Sequence, residues 1–189
     1  MTPRKPAGQE LTREMIIDVA RKQFLEKSFQ EVSMRVIATE LACSHGAIYY
    51  HFKNKASLFY AVVEEYFAEL DTLLANTLKE EGEPDTKLIH IFLCLMRFGL
   101  NNQSQYEYMF VMRNEEVNSL SQEAASKSYA KFAQAVHPLC RESIMLSDIY
   151  SVFMALHGFI VHHLHHSKNF DEVKEIAFLH AQFLMKAIR

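Results

Sequence analysis

The sequence predicts an all-α fold of about nine helices. Three observations carry that reading. Only 5 Gly and 4 Pro occur in 189 residues, too few for a turn-rich sheet protein. Hydrophobic residues make up 49% of the chain, enough to bury a good core in one or two small domains. Apolar residues recur at i, i+3 and i+4 in stretch after stretch, and none alternates convincingly at the period of a strand.

Residues 1–10 read as a polar arm carrying Arg4 and Lys5. Thr12 opens the first helix, and Ile16, Ala20 and Phe24 form its core stripe. It ends near Lys27 to Phe29. Ser33 is placed to N-cap the second helix, because its hydroxyl accepts from a free first-turn amide. Met34, Ile37, Ala38 and Leu41 make that helix apolar on one face. Ala42, Cys43 and Ser44 interrupt the pattern, and Ser44 caps again. His45 to His51 forms a third, very short helix anchored by Ile48 and Phe52. Asn54 caps a long fourth helix from Lys55 to about Glu81, with Leu58, Phe59, Val62, Val63, Phe67, Leu70, Leu73 and Leu74 at helical spacing. Gly82 and Pro84 break it.

Thr86 to Leu100 is apolar nearly all round, the mark of a buried helix. Asn101 to Ser104 reads as a turn, Tyr106 to Arg113 as helical, and Asn114 to Ser121 as a loop or helix end. A helix follows to about Leu139, with Ala125, Tyr129, Phe132, Ala133 and Val136 inward. Ser147 is expected to cap the penultimate helix, whose stripe is Ile149, Phe153, Leu156, Ile160 and Leu164. The last helix runs from about Asp171, with Val173, Ile176, Ala177, Phe183 and Leu184 on its apolar side.

Charge divides the chain. Residues 1–55 hold nine Lys/Arg against six Asp/Glu, a net of +3; residues 56–189 hold eleven against seventeen, a net of -6. A basic head on an acidic body is the footprint of a chain that presents one end to DNA. The expected domains are therefore a DNA-binding head, 1–55, and a helical regulatory body, 56–189. The second and third helices form a helix-turn-helix, whose second helix offers its N-terminal residues to the major groove. His45 and Ala47 stand where base edges are read. The hydroxyls of Tyr49 and Tyr50, the His51 imidazole, and Lys53 and Lys55 can hold phosphates, which fixes register without reading sequence. Tyr49 and Tyr50 cannot both point inward on one helix. Ser33, Arg35, Ser44 and Gly46 complete the candidate DNA contacts.

Met34-Arg35-x-Ile37-Ala38 followed by Ser44-x-Gly46-x-Ile48-Tyr49-Tyr50-His51-Phe52-Lys53-Asn54-Lys55-x-x-Leu58 resembles the DNA-binding signature of the tetracycline-repressor (TetR) family of bacterial transcription regulators. The resemblance covers roughly the first third of the chain, from Thr12 to Phe59. It departs from the family pattern at Ser28 and Ala42, where Gly is usual, and at Cys43, Ala47 and Ala56. A left-handed Ala42 would cost about 1 kcal/mol. The resemblance implies a repressor that binds a palindromic operator as a homodimer, through a four-helix interface of the last two helices. Phe153, Leu156, Gly158, Ile160, Ile176, Phe183 and Leu184 are the candidates for that interface. It also implies a small-molecule site among the middle helices. Phe92, Met96, Arg97, Tyr106, Tyr108, Met109, Arg113, Phe132, Phe153 and His157 are the candidates there, and an apolar or aromatic effector suits them.

Other chemistry has less support. Cys43, Cys94 and Cys140 make neither a disulfide framework nor a zinc pattern. His162, His163, His165 and His166 pair at i, i+3 and i, i+4, so a metal sensor is one alternative and a redox sensor using Cys94 and Cys140 another. The helix dipole also favours imidazolium at that position, without a metal. A small helical enzyme is the third alternative. No nucleophile elbow, phosphate loop or metalloprotease motif occurs, so no enzyme, cofactor or metal is expected. No apolar signal core and no run of 18 apolar residues occurs, so a cytoplasmic protein is expected.

Overall fold

The computed structural model describes residues 10–112 and 118–189. Among them the chain is helical, without strands. The helices are α1 (Arg13–Glu26), α2 (Met34–Glu40), α3 (His45–His51), α4 (Lys55–Lys79), α5 (Pro84–Asn101), α6 (Gln103–Tyr106), α7 (Asn118–Val136), α8 (Leu146–His163) and α9 (Lys174–Ile188). α6 continues into a π-helical turn, Glu107–Val111, and short 3-10 turns His137–Leu139 and Phe170–Glu172 follow α7 and precede α9. The chain forms two compact units that divide between Val63 and Glu64. That is about two turns later than the sequence boundary, because the first turns of α4 pack with the head.

The head closes over an aromatic cluster. Phe59 of α4 lies edge-on to Phe24 of α1 (4.9 Å between centroids) and to Phe29 (5.0 Å). Ile16, Ala20, Ile37, Ile48 and Leu58 are fully or almost fully buried around it. α1 needs no left-handed residue at Ser28. Lys27 is extended at the C-cap, and the Glu31 carboxylate accepts from both the amide and the hydroxyl of Ser28 (3.0 and 2.7 Å). Those bonds hold the Glu31 carboxyl below its usual range.

In the body α5 is the central element, packed on α8 and α9. Its buried residues include Leu88, Ile91, Phe92, Leu95 and Met96, as its all-round apolar pattern predicts. Phe132 of α7 joins Phe92 (6.3 Å) to Phe153 of α8 (5.3 Å). Three local readings are corrected. α5 begins at Pro84, an ordinary first-turn position for proline. The N-cap of α8 is Met145 rather than Ser147, and the Asp148 carboxylate accepts from the Met145 amide (3.2 Å). α9 begins at Lys174, after a turn started by Asn169, whose side chain accepts from the Asp171 amide.

Gly99 sets the closeness of α5 to α8. A Cβ there would meet Ile160 Cγ2 at 2.7 Å and the Tyr106 ring at 3.0 Å. We therefore expect Gly99→Ala to lower stability by about 1–3 kcal/mol, since overpacking forces neighbours off their rotamers. Urea unfolding followed by circular dichroism measures it. An unchanged midpoint would show that the α5–α8 contact is soft.

Candidate functional site

The helix-turn-helix is built from caps. Ser33 accepts from the Arg35 amide (3.3 Å) and Ser44 from the Ala47 amide (3.1 Å). Between them the amide of Cys43 returns to the Ala38 carbonyl (3.0 Å) and that of Ala42 to Thr39 (3.1 Å). This is a Schellman closure, which requires a left-handed residue after the helix. Ala42 supplies it at φ 51°, without glycine's freedom.

Three side-chain devices hold this unit. Gln23 of α1 is buried; it donates to Glu40 of α2 (2.8 Å) and accepts from Lys27 (2.9 Å). Asn54 and Ser57 cap α4 reciprocally, each side chain accepting from the other's amide (2.8 and 3.2 Å). Lys55 reaches back from α4 to the loop after α1. Its ammonium donates to the carbonyls of Phe29 (2.7 Å) and Gln30 (3.3 Å) and lies 4.4 Å from the Phe29 ring centre. Lys55 thus has a structural occupation that no local pattern reveals.

With the scaffold fixed, α3 buries only Ile48. His45, Gly46, Tyr49 and Tyr50 are exposed, and Tyr50 is 87% exposed. The His45 ring sits edge-on to Tyr49 at 4.8 Å. Tyr50 likewise meets His51 at 5.3 Å. Ala47 and His51 are half-buried, while Arg35 and Lys53 are exposed. One cation was not singled out from sequence. Arg13 of α1 stacks 4.5 Å over Phe52, the C-cap of α3, placing a guanidinium at the end of the recognition helix. Nothing local signals it, because the two residues are far apart in the chain.

The predicted ligand residues fall into two sets. Phe92, Met96, Tyr106, Met109, Phe132 and Phe153 are buried in the body core. Tyr108 and His157 are half-buried, Arg97 is exposed, and Arg113 lies outside the described residues. The Tyr106 hydroxyl and His157 Nδ1 are 2.8 Å apart. Burial pushes the tyrosine up and the histidine down, so both stay neutral near pH 7. The ring of Phe110, on the π-helical turn, lies 4.8 Å from Tyr106 and 5.9 Å from His157. A cleft between α4, α5, α7 and α8 reaches Phe132 and Phe153, but its free volume is only about 10 Å³, room for about one water. Lys131 and Asp71, which borders this cleft, form an ion pair. A larger groove of about 470 Å³ lies outside it, between α4 and α5.

The predicted interface residues also divide. Leu156 and Ile160 are fully buried in the single chain, and Phe153 and Leu184 nearly so. They belong to the core and are unavailable to a partner. Gly158 is exposed, as are Ile176 and Phe183, the last at 70%. Tyr150, Met154 and Val161 on α8 and Leu179 on α9, not singled out from sequence, are also exposed. The two exposed stripes flank a seam where His180 of α9 stacks on Phe159 of α8 (5.1 Å).

The histidines do not converge. His165 Nε2 pairs with Glu107 (2.8 Å), and His165's amide donates to Gln103 (2.9 Å). His162 stacks on His166 at 6.3 Å. Desolvation first, then His162 and His166, lower the pKa of His163. Among the described residues no three His, Cys, Asp or Glu side chains could hold a metal ion. Among them also, no helix is long and apolar enough to cross a membrane.

A capped helix-turn-helix with an exposed recognition helix, on an all-α body, defines a helix-turn-helix regulator fold. Residues 16–62 match the family described as bacterial regulatory proteins, tetR family. An HTH-type transcriptional regulator of Staphylococcus aureus (strain USA300) is 30% identical over 95 residues, 49% of this chain and 50% of that protein. The chain thus spans about half the length of the curated relatives it matches. Whole-chain likeness comes from solved structures. A protein of unknown function from Rhodococcus sp. RHA1 superposes with a TM-score of 0.79 at 17% identity, over 98% of this chain and 99% of that one. The regulator FadR from Bacillus subtilis, in complex with stearoyl-CoA, gives 0.74 at 15%, over 94% and 100%. At such identities these structures show a shared fold. The tetR-family match thus lies in the helix-turn-helix head, over residues 16–62.

We expect Lys55→Ala to destabilise the chain by about 1–3 kcal/mol, the range for hydrogen bonds from a charged donor. Urea unfolding of the full chain checks this. Unaltered stability would mean that the ammonium does not hold the loop and is available for other work.

Proposed function

We propose that the chain is a cytoplasmic, ligand-responsive transcription regulator. It acts as a repressor that holds a palindromic operator as a homodimer and is released by a small apolar effector. The observation that carries this reading is α3, whose one buried residue leaves His45, Tyr49 and Tyr50 outward on a braced head. His45 and Ala47 read bases, and Tyr49, Tyr50, His51, Lys53 and Arg35 hold phosphates. Ser33, Ser44 and Gly46 shape and cap the two helices at the DNA face. Arg13 joins the phosphate set. The DNA-binding head is taken as residues 1–55 and the regulatory body as 56–189, joined through α4.

A dimer is favoured physically, because one seven-residue recognition helix gives little affinity and a two-fold pair of half-sites adds a second. The exposed stripes Tyr150, Met154 and Val161 of α8 and Ile176, Leu179 and Phe183 of α9 support an isologous interface there. Gly158 on the same side gives close approach, since a Cβ there would meet nothing within 4 Å. An apolar effector suits the aromatic core, and the stearoyl-CoA held by the Bacillus subtilis regulator supports an apolar ligand for a body of this fold. The effector releases DNA only insofar as it binds the DNA-free state more tightly.

Selection from a random duplex library tests the DNA reading. The native chain should yield a palindrome, and His45→Ala should relax one symmetric pair of positions, at about 1–3 kcal/mol per contact. An unchanged consensus would remove His45 from base readout. Lys53→Ala should reduce the log-log salt slope by about 0.9.

The interface has its own test. Phe183→Glu puts charge into the stripe without disturbing the core, so the variant should remain helical by circular dichroism. It should sediment as a monomer and lose operator affinity. A Phe183→Glu dimer with full affinity would place the interface elsewhere.

A further inference from the structure

We propose that the effector, if the regulator reading above holds, is an amphipathic monoanion. Its head group rests on Arg97 in the α4–α5 groove, and its apolar tail passes Cys94 into the body. The groove's volume of about 470 Å³ lies within the range of small-molecule sites. Leu73, Leu93 and Phe98 give it apolar walls. Arg97 is its one permanent cation, held with the guanidinium carbon 5.0 Å over the Phe170 ring. Among the described residues no carboxylate forms an ion pair with Arg97. The groove's one carboxylate, Glu80, is engaged by His90 at 2.9 Å. His90 and Arg97 are seven positions apart on α5, about 10 Å along the helix. The Arg97 end is therefore open to an anion and the opposite end is not.

Cys94 makes the tail's path specific. It lines both the outer groove and the interior cleft that reaches Phe132 and Phe153. No other residue lines both. Burial pushes its thiol up, so it presents a neutral, weakly polar surface to a passing chain. The cleft has room for about one water, so a tail enters only by moving Leu70 and Leu74 of α4 away from Ile91 and Leu95 of α5. α4 is one unbroken helix from Lys55 to Lys79. Prising its body half from α5 is thus a movement of the element that begins in the head. The exposed guanidinium sets the class of head group, and the tail supplies most of the affinity, about fourfold per buried methylene.

The test is calorimetric titration of the full chain with decanoate, decyl sulfate, decanol and butyrate. Decanoate should bind at least tenfold more tightly than decanol and far more tightly than butyrate. Decyl sulfate separates a general anion site from a carboxylate site: equal affinity assigns a general anion site, weaker binding a carboxylate. Arg97→Gln should erase the preference over decanol while leaving decanol unchanged. Because Arg97 is exposed, that variant does not put the fold at risk. Decanoate should also slow alkylation of Cys94 by iodoacetamide, measured by peptide mass relative to Cys43. Equal affinity for decanoate and decanol, a preference that survives Arg97→Gln, or unprotected Cys94 would each overturn the assignment. Operator release is measured separately. If decanoate binds as described yet leaves the operator complex intact, the site stands and the effector reading fails.

Discussion

A seven-residue helix cannot hold itself together, and the head is organised around that fact. Helices shorter than about 12–15 residues are marginal in water, and α3 buries a single side chain, Ile48. Its conformation has to be imposed from both ends. Ser44 caps one end and Phe52 closes the other, under the guanidinium of Arg13. The turn before it is fixed by the two returning amides of Ala42 and Cys43. Left-handed alanine costs about 1 kcal/mol. That strain persists because the closure satisfies two backbone donors, which would cost more unpaired. The outward side chains gain a fixed frame in exchange.

The same logic extends to the Lys55 ammonium. A lysine next to a recognition helix invites a phosphate role on charge alone. Here it bonds two carbonyls and covers a phenylalanine ring. Each task uses donors that a phosphate would also need, and a loop carbonyl 25 residues back is always present whereas DNA is not. The first turn of α4 is thereby tied to α1, which is why the compact head extends to Val63.

What could be read from sequence follows from range. Caps act over three residues, and those at Thr12, Ser33, Ser44 and Asn54 stand where the sequence places them. Core periodicity is also local, and the stripes of α1 and α5 are buried as expected. Readings that needed a partner from elsewhere were incomplete. α8 is apolar on more than one side, and periodicity cannot say which side meets its own chain. Leu156 is buried in the core and Ile160 packs against Gly99, so the outward side is left to Tyr150, Met154 and Val161. Arg13 on Phe52 and Gln23 on Glu40 are likewise long-range pairs with no local mark. Ser147 failed as a cap because Asp148, one residue on, reaches the Met145 amide first.

The body's tight packing constrains how it could respond to a ligand. Gly99 lets α5 lie close enough to α8 that no methyl group fits between them. The loop after α8 is clasped to the same region: Gln103 donates to the Ser167 carbonyl (2.8 Å), Asn101 accepts from the Phe170 amide (3.0 Å), and His165 pairs with Glu107. These bonds tie α5, α6 and the α8–α9 loop into one piece. On the other side of α5 the cleft against α4 is crossed mainly by apolar contacts of Leu70 and Leu74. Apolar contacts are non-directional and can be replaced by a ligand's own apolar surface at little net cost, whereas the directional hydrogen bonds of the clasp cannot. The α4–α5 seam, lined largely by apolar side chains, is consequently the boundary along which this body can open most readily.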